Sequence, residues 1–254
     1  MSTLTFTNED IYKGDLILVN AEHPLVRYSP RQLDAVNVNF PHISLERCTV
    51  DFLSACLSYI SCGDEIVPVS GYRTRQEQED IYSTSLVENG EDFTQKYVAL
   101  PNHSEHQTGL AIDLGQKSES IDFIRPNFPY FGICQSFRQT APKYGFIQRY
   151  QLGKEAVTGI SAEPWHFRFV GYPHSAIIAK QNYCLEEYIQ KIKEHTYAKN
   201  HLHFKDEKDE FEIFYLPISS QEPVSLCVPA NCTCQVSGNN YDGVIITLQR
   251  RKNE

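Results

Sequence analysis

Three short stretches carry the residue types that metal-assisted hydrolysis needs. "SEHQTGLAIDLG" (104–115) sets His106 and Asp113 on either side of Gly109 and a run of small apolar residues. "EPWH" (163–166) adds His166, with Glu163 at its head, and "SGYR" (70–73) ends in Arg73. A catalytic zinc takes three protein ligands and keeps a fourth position open. His106, Asp113 and His166 can supply the three. Singly, each residue has an ordinary reading: a hydrogen-bonded strand histidine, an aspartate at a turn, a glutamate in a solvated loop, an arginine paired with a carboxylate. Only their joint occurrence points to chemistry, because short motifs match easily by accident.

Glu163 precedes Pro164, which biases it away from helical geometry. The arrangement is therefore not the helical HExxH motif, in which both histidines share one helix face. In a regular strand, positions 163 and 166 face opposite sides. A bend at Pro164 must re-aim Glu163 if both residues serve one site. Arg73 follows the strand-like "EIVPV", where a guanidinium can be aimed at a developing oxyanion.

The elements that must position these groups read as follows. Residues 47–62 have helical apolar spacing and Gly63 as a stop. "EIVPVSGYR" reads as a short strand and turn, and "TRQEQEDIYSTSLVENG" as a helix capped by Thr74 that ends near Asn89-Gly90. Residues 91–103 read as a polar, irregular loop. "GLAIDLG" alternates as a strand that puts Asp113 on the face opposite its leucines. A helix within 130–146, the strands "YGFIQRY" and "EPWHFRFVG", and an amphipathic helix from Ser175 to about His195 follow. Residues 211–250 then hold four strand-like runs, "FEIFYLPI", "VSLCV", "TCQVSG" and "GVIITLQR", the last two joined by the turn-rich "NNYDG". The expected fold class is α+β: a small antiparallel sheet carrying the site, packed with helices, plus a small C-terminal all-β appendage. The expected division is 1–198 for the catalytic domain and 199–254 for an appendage of open role.

Composition narrows the partners. The 254 residues include 23 Lys and Arg against 32 Asp and Glu, a net charge of −9. That sign argues against broad electrostatic binding to nucleic acid or an anionic membrane. The first twenty residues lack a basic leader and a long apolar core, and no later run reaches membrane-spanning length, so a cytoplasmic protein is expected. Of the eight cysteines, Cys227, Cys232 and Cys234 crowd together, but their spacing lacks a second CxxC. Ordinary buried thiols are the preferred reading over a structural zinc.

The blocks "SGYRT" (70–74), "SEHQTGLAIDL" (104–114) and "EPWH" (163–166) resemble the three signature blocks of the zinc D,D-peptidases. That family includes the VanX dipeptidases, the VanY carboxypeptidases and the D-Ala-D-Ala-type endolysin peptidases. The pattern S-x-H-x-x-G-x-A-x-D is met at Ser104, His106, Gly109, Ala111 and Asp113. The resemblance covers roughly residues 10–195. The lack of a leader or anchor resembles the bifunctional VanXY subgroup of vancomycin resistance, and the stretch "LILVNAEHPL" fits VanY and VanXY better than VanX.

This resemblance implies one catalytic Zn2+ held by His106, Asp113 and His166, with Glu163 as general base and Arg73 on the oxyanion. It implies that Ser104 holds the substrate's C-terminal carboxylate. Gln78 and Trp165 are weaker candidates for lining the pocket, with a solvated helix face and core packing as the preferred readings. The implied substrate is a small peptide, D-Ala-D-Ala or a UDP-linked pentapeptide, with no nucleic acid and no membrane partner; homo-oligomerisation stays open. Two alternatives remain at this point: a non-catalytic zinc-stabilised module that binds cell-wall peptide, and an endolysin-type peptidoglycan endopeptidase.

Overall fold

The computed structural model describes residues 2–218 and 222–251, the last of these by its backbone alone. The chain forms two compact units, Val19–Cys184 and Met1–Leu18 with Leu185–Glu254. The division placed at 198 from the sequence falls inside the second unit. Every pair of named strands is antiparallel, and the fold is α+β as expected.

The Val19–Cys184 unit is organised around a four-stranded sheet. Its strands are β1 (Ile66–Ser70), β2 (Ala111–Gln116), β3 (Phe146–Tyr150) and β4 (Glu163–Phe169), in the spatial order β1-β2-β4-β3. Pro68 lies in β1, an edge strand, where its missing N–H costs the sheet least. Leu110, Ile112, Leu114, Phe146, Phe167 and Phe169 are buried in the core. Phe128, Phe137 and Phe167 meet edge to face, with ring centroids 4.9–6.0 Å apart. Burying one such ring contributes on the order of 1.5–3 kcal/mol, so this cluster anchors the sheet.

Helix α1 (Arg47–Tyr59) buries Leu53 and Cys56, and its Phe52 ring stacks on Phe169 of β4 at 5.5 Å. Helix α2 (Arg75–Asn89) starts at the Thr74 cap. The Thr74 hydroxyl accepts from Glu77 N at 3.2 Å, while the Glu77 carboxylate accepts from Thr74 N at 2.7 Å. Such a reciprocal cap contributes about 1 kcal/mol. It fixes the start of α2 immediately after Arg73, which is why Arg73 has a defined place.

Residues 91–97 are helical, where the sequence reads as loop. Helix α3 (Glu91–Tyr97) begins at Gly90 and has Glu91 and Asp92 in its first turn, where acidic groups complement the helix dipole. Phe93 and Tyr97 meet one turn apart, and Thr94 hydrogen-bonds Ser85 of α2 at 2.8 Å. Helix α4 (Gly132–Thr140) lies in the stretch where a helix is expected.

The expected helix from Ser175 to His195 is two helices, α5 (His174–Gln181) and α6 (Leu185–Lys193). Asn182 adopts the left-handed conformation, φ 54°, and ends α5. Asparagine tolerates that region better than most residues, so the apolar periodicity of the two helices continues across a real break.

The second unit is built on α6 and strands. Thr233–Gly238, Gly243–Arg251, Asp209–Pro217 and Leu202–Lys205 form one sheet in that order, and Ser2–Phe6 pairs with Val224–Val228. Alternate residues Phe214, Leu216, Val244, Ile246 and Leu248 face a shared core with Phe6 and Ile11. The four expected C-terminal strands are present; the pairing of the N-terminal strand with them is a long-range contact that no local pattern announces. All eight cysteines are free, and Cys227 is exposed instead of buried. Among the described residues, no helix is long and apolar enough to cross a membrane.

Candidate metal centre

The register of the sheet assembles the centre. Asp113 on β2 lies opposite Ser70 on β1 and opposite His166 on β4. Directly opposed residues of neighbouring strands project to the same face, so Asp113 and His166 stand side by side. His106 arrives from the turn before β2, a short 3-10 helix over Glu105–Thr108 that ends at Gly109. Gly109 has φ +72°, a region closed to most side chains, and so lets the chain reverse into β2. The ring of His106 is fixed by Nδ1, which donates to the Gly71 carbonyl at 2.7 Å. A carbonyl only accepts, so Nε2 is left with a free lone pair. Gly71 is required by close approach: a Cβ there would lie 2.5 Å from the Ser44 carbonyl oxygen.

Nε2 of His106 lies 3.1 Å from Asp113 Oδ2, and Nδ1 of His166 lies 2.9 Å from Asp113 Oδ1. The two imidazoles meet edge to face with centroids 5.0 Å apart. One ligand atom from each of the three residues lies within 4.8 Å of the others, and all three residues are buried. Two imidazole nitrogens and one carboxylate oxygen make a donor set that zinc favours.

The electrostatics agree. Burial opposes ionisation of Asp113, yet the flanking histidines hold its carboxyl well below the usual range. Burial likewise opposes a charged His166, but hydrogen bonds to Asp113 and Glu105 push it up to about 9. Burial and the nearby Arg73 charge lower His106. The cluster thus favours positive charge between its members, which a metal ion supplies by displacing a proton.

Glu163 lies where β4 slips against β3. Phe167 pairs with Gln148 and Glu163 pairs with Tyr150, so four steps along β4 match two along β3. The ladder is therefore irregular between Gln148 and Tyr150, and such bulges re-aim side chains beside active sites. Glu163 Oε2 lies 3.7 Å from His166 Nδ1. Arg138 of α4 braces the bulge, donating from Nη2 to the Pro164 and Phe128 carbonyls at 3.1 Å each. Burial, with the charge of Asp113 as a further contribution, pushes Glu163 up to about 8 against the opposing influence of His166 and Arg73.

Arg73 donates from Nη2 to Asp113 Oδ2 at 3.2 Å and from Nε to Ser70 Oγ at 2.9 Å. Its guanidinium faces the Phe123 ring at 5.5 Å. Gln78 is buried, not on a solvated face: its Oε1 accepts from Arg73 Nη1 at 3.3 Å and its Nε2 donates to the Ala99 carbonyl at 2.8 Å. It therefore brackets the arginine. Ser104 and Trp165 are buried in the wall of the same cleft, and the Ser104 hydroxyl makes no hydrogen bond to the described residues. All eight residues singled out from the sequence line this one cleft.

Three charged residues at the centre escape the sequence reading: Glu105, Arg149 and Arg168. Glu105 touches His166, and both arginines bind Glu105. A strand pattern assigns the arginines of "FIQRY" and "HFRFV" to solvent, yet both are fully buried. The available signal is period two: Arg168 lies two positions beyond His166 and so shares its face.

Residues 52–172 match the family model described as VanY, D-alanyl-D-alanine carboxypeptidase. The chain is 42% identical over 175 residues to the bifunctional D-Ala-D-Ala dipeptidase and D-Ala-D-Ala carboxypeptidase VanXYC of Enterococcus gallinarum, across 68% of this chain and 92% of that protein. It superposes on the vancomycin resistance D,D-dipeptidase VanXYg, solved with a D-Ala-D-Ala phosphinate analog. There the TM-score is 0.95 and the identity 51%, over 98% of this chain and 99% of that one. A mutant of the D,D-pentapeptidase VanY from a VanB-type cassette, solved with Zn(II), matches with TM-score 0.59 and 28% identity, over 69% of this chain and 98% of that one. The site that the three sequence blocks build and the matched relatives agree: the chain belongs to the VanY family of D-alanyl-D-alanine carboxypeptidases.

Proposed function

We propose that the protein is a zinc-dependent D,D-peptidase that hydrolyses the dipeptide D-Ala-D-Ala and removes the terminal D-Ala of a peptidoglycan-precursor pentapeptide. The outcome is loss of the vancomycin target. The observation that carries this reading is the convergence of Glu163 and Arg73 on the buried His106–Asp113–His166 cluster. A module that only bound wall peptide would need neither group. A zinc ion held by His106, Asp113 and His166 would lower the pKa of a water to about 7 and act as a Lewis acid on the scissile carbonyl.

The chain's own residues do the rest. Glu163 takes a proton from the attacking water on a carboxylate oxygen and returns it to the leaving amine as the C–N bond breaks. A pKa near neutrality suits both transfers. Arg73, held by Ser70, Gln78 and Asp113, donates to the oxygen that gains negative charge. The Ser104 hydroxyl receives the C-terminal carboxylate of the substrate, and Trp165 closes the wall beside it. The cytoplasm, where such precursors are built, is the proposed location.

Arg73→Ala lowers kcat by about 10²–10³-fold, the usual effect of losing an oxyanion donor, and raises KM far less. Steady-state kinetics on zinc-replete variant check this; a raised KM with unchanged kcat would make Arg73 a ground-state binder. The reading as a whole is tested by D-Ala release. Zinc-loaded protein is expected to liberate D-Ala from both D-Ala-D-Ala and UDP-linked pentapeptide, and release from neither overturns it.

An endolysin-type endopeptidase is less well supported. The match to VanXYg extends over 98% of this chain, so it includes most of the C-terminal strands. Those strands accompany a D,D-dipeptidase there, and nothing in this chain requires them to bind a cell wall.

A further inference from the structure

We propose that Glu105 is the positioning residue for the third ligand: its carboxylate keeps the ring proton of His166 on Nε2 and turns Nδ1 toward Asp113 and His106. The inference rests on the zinc-peptidase reading of this site. His106 and His166 are held from behind in different ways. His106 is fixed by the neutral carbonyl of Gly71. His166 instead places Nε2 3.3 Å from Glu105 Oε2, while its Nδ1 faces Asp113.

The other oxygen of Glu105 is fully committed. Oε1 accepts from Arg149 Nε at 2.8 Å and from Arg168 Nη1 at 2.7 Å. The side chains of Glu105, Arg149 and Arg168 are each 0% exposed. Between two guanidinium groups the carboxylate is ionised, and an ionised carboxylate only accepts. Nε2 of His166 must then be the donor, so the ring proton that a metal ion displaces is the one on Nδ1, facing Asp113.

Stability alone does not account for such a cluster. Well-packed apolar groups of similar volume often serve a fold as well as a buried ion pair does. A carboxylate behind a ligating imidazole does something apolar groups cannot: it sets the tautomer and increases ligand basicity. The chain achieves this economically. Glu105 directly precedes His106 in one short turn, so the turn that delivers the first ligand also orients the third. Arg149 on β3 and Arg168 on β4 then fix the carboxylate.

The test is zinc affinity, read by competition with a chromophoric chelator, for the wild type and Glu105→Gln. Glutamine keeps the size but removes the charge, and zinc binding is expected to weaken about 10–100-fold. Circular dichroism of the zinc-free variant establishes that it is folded. A folded variant with unchanged zinc affinity overturns the role of Glu105. If the variant does not fold, the wild type decides: nitrogen-15 NMR of histidine-labelled, zinc-loaded protein is expected to show His166 protonated at Nε2. A proton on Nδ1 overturns the proposal. A wild type that binds no zinc overturns the peptidase reading itself, so the two failures are separable.

Discussion

Glu163→Gln leaves zinc bound and lowers kcat by about 10²–10⁴-fold, the range that general acid–base catalysis contributes. Glutamine preserves the volume and one acceptor oxygen but cannot take up a proton. The residue lies beside the candidate ligands: its nearest approach to His166 Nδ1 is 3.7 Å, whereas Asp113 approaches the same atom to 2.9 Å. Metal content is therefore expected to stay at the wild-type level, and KM to change little. Turnover of zinc-replete Glu163→Gln with D-Ala-D-Ala is the measurement. Near-normal turnover would remove the general-base assignment, because among the described residues no other carboxylate lining the cleft is free for it: Asp113 is a ligand candidate and Glu105 lies between two arginines.

His106→Ala abolishes zinc retention and, with it, D-Ala release. Removing one of three ligands leaves a carboxylate and one imidazole, fewer than a zinc site needs. The fold is expected to survive the change. Asp113, the buried charge that His106 faces, still has Arg73 Nη2 at 3.2 Å and His166 Nδ1 at 2.9 Å. An uncompensated buried charge is the usual cause of collapse in such variants, and here partners remain. Metal analysis after gel filtration, paired with a thermal melt of the zinc-free forms, separates loss of metal from loss of structure. Stoichiometric zinc in folded His106→Ala would displace His106 from the ligand set.

That His106, Asp113, His166, Glu163 and Arg73 belong together was legible because each sits in a compact block whose residue types are unusual together, and the structure brings all five to one cleft. The Thr74 cap was legible too, a local signal read in four residues. The means by which β4 presents both Glu163 and His166 was not. The sequence shows that a bend is needed near Pro164, but the irregular pairing of β4 with β3 beside it is a property of two strands, not of one. Glu105, Arg149 and Arg168 escaped for the same reason. Each looks like a solvated charge until the sheet brings them together across 44 and 63 positions of chain. The break at Asn182 was hidden by uninterrupted apolar spacing, since periodicity reports which face is buried and not whether the backbone turns. Glu91–Tyr97 was hidden by its polarity, although its acidic first turn and its Phe93–Tyr97 pair are helix signals.

Gln78 shows how a bland expectation can miss a role. On α2 it reads as one polar residue among many, yet both ends of its amide are engaged, one on Arg73 and one on the Ala99 carbonyl. The chain thus holds its candidate oxyanion donor with three side chains, Ser70, Gln78 and Asp113. Preorganisation of this kind lets a donor act without reorganising as charge develops.

The most direct test of the whole account is a zinc titration of metal-free protein, followed by D-Ala release from D-Ala-D-Ala. Release is expected to be absent at the start, to rise in proportion to added zinc and to level off at one ion per chain. Metal-free protein that releases D-Ala at the rate of the zinc-loaded form would contradict it.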